Sequence, residues 1–65
     1  MWVVVYMAQN KARADHIKSI LMKEGFLVKV KAVYKNVAAE ENFYEIYVPQ
    51  SEAQEVHTIL MENGF

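Results

Sequence analysis

Ile20-Leu21-Met22-Lys23-Glu24-Gly25-Phe26 returns later in the same chain as Ile59-Leu60-Met61-Glu62-Asn63-Gly64-Phe65. In each copy an aliphatic run ends on a Gly followed by Phe, the order expected where a helix closes through a left-handed residue. The echo extends backwards. Ala14 matches Ala53, Ile17 matches Val56, and after a small gap Tyr6-Met7-Ala8-Gln9 matches Tyr47-Val48-Pro49-Gln50. Each half therefore reads as strand, helix, Gly, Phe, and the fold is a duplicated unit.

The flanking segments fill in the order. Trp2 to Met7 is rich in β-branched and aromatic residues and too short for a free-standing helix, which predicts a strand. Asn10 is placed to cap a helix from about Lys11 to Glu24, with Ala14, Ile17 and Leu21 on one face. Phe26 to Tyr34 alternates and predicts a second strand, with Lys29 and Lys31 on its wetter side. Lys35 to Asn42 has no firm period and reads as a loop. Phe43 to Val48 alternates again. After Pro49, the run Ser51-Glu52-Ala53-Gln54 fits a capping box opening a second helix that carries Val56 and Leu60 and closes at Gly64.

The result is an α+β domain spanning residues 1–65, ordered β-α-β-β-α, where the repeat calls for a further strand after Phe65. That order is the ferredoxin-like two-layer sandwich with its fourth strand missing or vestigial. Without that strand the first strand becomes a sheet edge, whose unpaired N–H and C=O groups are able to template another chain.

Composition narrows the class. Of the 65 residues, 54% are hydrophobic and 23% charged, which sets the chain apart from disordered segments. There is no Cys, so neither a disulfide framework nor a thiolate metal site is available to a core this small. The apolar start, Met1 to Met7, lacks a basic flank and is followed by Asn10, Lys11, Arg13 and Asp15; it reads as neither signal peptide nor membrane span, and a cytoplasmic setting is expected. A net charge of −1 provides no basic field for a phosphate backbone.

Catalytic signals are lacking. His16 and His57 are not equivalent in the repeat and read as exposed histidines rather than metal ligands. Glu40-Glu41 reads as solvated loop charge. No phosphate loop, nucleophile elbow or H-E-x-x-H occurs, and no enzyme activity or cofactor is expected.

Strict alternation puts Trp2, Val4, Tyr6, Phe43, Glu45 and Tyr47 on the sheet face away from the helices, with Leu27, Lys29, Lys31 and Val33. Val3, Val5, Met7, Val28, Val30, Tyr44, Ile46 and Val48 face the helices. An open face with this many rings needs a cover. Trp2, Val4, Tyr6, Phe43 and Tyr47 are thus the expected contact residues of a non-enzymatic regulatory or interaction module. The expected partner is a second copy, as a homo-oligomer, or another protein. A small-molecule sensor with its ligand at a dimer interface is the alternative. A single-stranded nucleic-acid binder ranks last, because the rings lack a basic surround.

The opening Val3-Val4-Val5-Tyr6, the helix carrying Ala14, Ile17 and Leu21, the Gly25 turn and Tyr44-Glu45-Ile46-Tyr47-Val48-Pro49 running into Ser51 resemble a small prokaryotic family. Its members are labelled signal-transducing proteins, with a ferredoxin-like domain related to the nitrogen-regulatory PII proteins. The resemblance covers nearly the whole chain and implies this fold and a bacterial cytoplasmic setting; its motifs are structural and name no activity. PII proteins carry a long loop between strands two and three; this chain has only Lys35 to Asn42 there, so PII-type nucleotide sensing is not among the implications.

Overall fold

The computed structural model describes all 65 residues. Strand β1 (Trp2–Ala8) leads into helix α1 (Lys11–Lys23), strand β2 (Lys29–Ala32), strand β3 (Tyr44–Pro49) and helix α2 (Ala53–Glu62), with short 3-10 turns at Ala39–Glu41 and Gln50–Glu52. The sheet is antiparallel throughout and ordered β1-β3-β2, so β3 is central and β1 is an edge. This α+β arrangement of three strands and two helices is compatible with the expected ferredoxin-like layout. Neither helix is long and apolar enough to cross a membrane.

The repeated segments build the same helix ending twice. Gly25 and Gly64 have φ of 91° and 86°, a region costly for any residue with a Cβ. The Phe26 N–H donates to the Leu21 carbonyl and the Gly25 N–H to that of Met22; Phe65 and Gly64 do the same to Leu60 and Met61. This is the Schellman pattern, and Phe26 and Phe65 supply its hydrophobic contact by packing against the core.

Ten apolar side chains form one core cluster: Val5, Ala8, Tyr44, Ile46 and Val48 from the sheet, Ala14, Ile17 and Leu21 from α1, and Val56 and Leu60 from α2. Both helices therefore cover the face of β3 that carries Tyr44, Ile46 and Val48. Each fully buried aliphatic chain contributes about 1.5–3 kcal/mol. Only 11 of 65 residues are buried, so the margin over chain entropy is small.

Helix α1 starts as expected, with Asn10 Oδ1 accepting from the Arg13 N–H at 2.8 Å. Four readings need correction. First, β2 is only four residues long: Phe26 completes the helix ending, and Leu27, Val28, Val33 and Tyr34 stay outside the strand. Second, the capping box does not form: a 3-10 turn precedes α2, whose first residue follows Glu52, and no side chain caps it. Third, the loop between β2 and β3 holds a helical turn and is closed by Asn42, 2% exposed. Asn42 Oδ1 accepts from the N–H of Tyr34 (3.0 Å) and of Phe43 (2.8 Å), and its Nδ2 donates to the Tyr34 carbonyl at 2.6 Å. One side chain thus replaces a rung of the ladder.

The fourth correction moves a predicted contact residue. Val4 pairs with Tyr47, but Tyr6 pairs with Ile46 and Met7 with Glu45, leaving Val5 as the extra residue of a β-bulge. Beyond it every side chain changes face, as a one-residue slip requires. Tyr6 lies on the helix side, half-buried, its ring 5.7 Å from that of Phe65 in a T-shaped contact. Met7, assigned to the helix side by strict alternation, is on the open face and 53% exposed.

Candidate interaction surface

Four of the five predicted contact residues, Trp2, Val4, Phe43 and Tyr47, share the open face of the sheet; Tyr6 does not, and Met7 takes its place at the far end of β1. The centre of this surface is polar as well as aromatic. Lys29 pairs with Tyr47 across the β2–β3 ladder. Its Nζ reaches over both rings, 4.7 Å from the Trp2 centroid and 5.8 Å from that of Tyr47. Each such contact contributes about 0.5–1 kcal/mol at an exposed site. Lys29 thereby ties β2 to β1 across the strand between them.

Tyr47 donates its hydroxyl to Glu45 Oε1 at 3.0 Å. This bond to a carboxylate, with lesser contributions from burial and the Glu45 charge, raises the Tyr47 pKa above the ordinary 10.0. Just before β3, Phe43 meets the ring of Tyr34 edge to face at 6.5 Å. Trp2, Val4 and Met7 stay exposed along β1 and form an uncharged strip beside the Lys29–Tyr47–Glu45 line.

The two borders of the sheet differ. On β2, Lys29 and Lys31 are both exposed. On β1, seven residues contain no charge and no Pro, and the only partner strand is β3. This edge lacks the lysines and prolines that ordinarily prevent strand addition.

A second surface lies between the start of α1 and the end of α2, where Asn10, Arg13 and His16 face Asn63, Gly64 and Phe65 in an open cleft. The Arg13 guanidinium sits 5.3 Å from the Phe65 ring and the His16 ring 5.6 Å, so both use Phe65 as a platform. His16 and His57 are exposed, as read from the sequence. No three His, Asp or Glu side chains gather to hold a metal. The signal that could have found Met7 is absent from its local sequence, since the bulge is visible only in the pairing with β3. No family model, curated protein or solved structure matches this chain.

Proposed function

We propose that the chain is a non-enzymatic interaction module of bacterial cytoplasm, a ferredoxin-like unit lacking its fourth strand. It associates with a protein partner, a second copy foremost, through the β1 edge and the adjoining open sheet face. The observation that carries this reading is β1 itself. A seven-residue strand with no charge stands at the sheet edge with one side of its backbone unpaired and Trp2, Val4 and Met7 exposed beside it. A small core gains stability from such association. Single-stranded nucleic acid is disfavoured, because the Lys29 amine already lies over the Trp2 and Tyr47 rings where bases would stack.

Sedimentation equilibrium across a wide concentration range, at low and high salt, tests this reading. The expected result is a concentration-dependent dimer or larger assembly that persists at high salt. A monomer at every concentration removes the second copy as partner.

A further inference from the structure

We infer that a second copy pairs its β1 with this β1, antiparallel about a two-fold axis at Val4, to make one continuous sheet from the three strands of each copy. The inference rests on the interaction reading above and fixes its geometry. It begins with the direction in which the β1 backbone points. The Gln50 N–H donates to the Met1 carbonyl at 2.8 Å, which makes Met1 and Gln50 a bonded pair. Bonded and non-bonded pairs alternate in an antiparallel ladder, so Val3 also turns its polar groups towards β3 while Trp2 and Val4 turn theirs outward. Past the bulge, Val5 and Tyr6 together face Ile46, and Met7 is the next residue to point outward.

The outward residues, Trp2, Val4 and Met7, are unevenly spaced in sequence but stand opposite Pro49, Tyr47 and Glu45, which are evenly spaced by two on β3. The bulge therefore leaves an outer edge with regular spacing that is symmetric about Val4. A two-fold axis there sets Val4 against its own copy and Trp2 against Met7, with each outward donor facing an acceptor. Antiparallel polarity comes from the symmetry itself.

Charge follows the same pattern. At the Trp2 end the Lys29 amine lies over the indole, and at the Met7 end the neighbour on β3 is Glu45, whose own partner on β2 is Lys31. The two-fold turns the Lys29 end of one copy towards Glu45 of the other, twice, with Lys31 set one strand further from the seam, while the strands in contact are uncharged. Two β2 edges related in the same way would instead bring lysines together.

The chain has no Cys, so one introduced thiol reports the axis directly. Val4→Cys places two thiols on directly opposite residues about 5.5 Å apart at Cα, within the span a disulfide bridges. Met7→Cys lies off the axis and has no partner thiol, while a mixture of Trp2→Cys and Met7→Cys pairs one with the other. The expected result is a covalent Val4→Cys dimer forming at least about tenfold faster than the Met7→Cys dimer. The mixed variants should give the heterodimer. Circular dichroism confirms that each variant stays folded, and amide exchange at Trp2, Val4 and Met7 should slow as wild-type concentration rises. Association by sedimentation with equal cross-linking rates for Val4→Cys and Met7→Cys overturns the edge pairing while leaving the interaction reading intact. A wild-type chain that is monomeric throughout overturns the edge pairing and removes the second copy as partner.

Discussion

The sheet has two edges that solve the same problem in opposite ways. The β2 edge is four residues long and presents Lys29 and Lys31. The β1 edge is seven residues long, carries neither lysine nor proline, and has only its bulge to vary the backbone. Short length and lysines are devices by which sheets discourage strand addition. Their presence on one side and absence on the other mean that a single chain holds its own control: whatever β1 binds, β2 should refuse.

The largest expected effect breaks the bulge that determines what the β1 edge presents. Tyr6→Glu puts a carboxylate against the core and removes the contact with Phe65, and should cost about 2–3 kcal/mol. In a domain with so few buried residues much of the population should unfold. Met7→Glu, one residue along on the open face, should change monomer stability by no more than about 0.5 kcal/mol. Urea denaturation of the pair checks the register. If Met7→Glu proves the more damaging, the bulge is misplaced and the faces of β1 revert to strict alternation.

Next comes the edge itself. On the inferred two-fold, Val4→Lys puts like charges together and should weaken self-association by about 2 kcal/mol, roughly thirtyfold in Kd. Its isolated fold should survive, since Val4 is 44% exposed. The reciprocal change sharpens the contrast: Lys31→Thr removes the charge guarding β2 while leaving Lys29 over the Trp2 ring, and should produce assemblies larger than the dimer in sedimentation velocity. An unaltered dimer in that variant would assign the protection of β2 to its length alone.

A smaller effect is expected at the closed end of β2. Asn42→Ala leaves the Tyr34 N–H and carbonyl and the Phe43 N–H without their side-chain partner, and should cost about 1–2 kcal/mol by thermal or urea melts. Asn42 also marks a limit of the sequence. Nothing in Asn-Phe-Tyr announces that its amide will reach a backbone eight residues earlier, because the contact exists only once β2 and β3 are paired. The repeat was legible for the opposite reason. A Schellman ending is local, so Gly25-Phe26 and Gly64-Phe65 display it in consecutive residues. Helix faces were legible too, because Ala14, Ile17 and Leu21 recur at helical spacing whatever they pack against. The bulge was not. Val3-Val4-Val5 is apolar in either register, and no Gly marks the extra residue, so only the match to β3 determines where alternation slips. The candidate surface inherited that blind spot twice, taking in Tyr6, which faces the helices, and leaving out Met7, which does not.

The smallest effect concerns Tyr47, which lies between the two edges and is joined to each. Its hydroxyl donates to the Glu45 carboxylate, and that bond raises the phenol above the ordinary tyrosine value of 10.0. The folded state therefore holds the proton more tightly than the unfolded chain. The stability this contributes is fully present below the unfolded value and is lost as pH rises through the higher folded one. Ring-carbon NMR titration should find the Tyr47 midpoint above 10.0 in the wild type and nearer to it in Glu45→Gln, where a neutral amide replaces the charged acceptor. If the edges pair as inferred, Glu45 also faces the Lys29 end of the second copy, and dimerisation draws part of the carboxylate's charge away from Tyr47. The midpoint should then fall slightly as protein concentration rises. A midpoint that rises with concentration, or stays constant while the dimer forms, would mean that Glu45 does not lie at the seam.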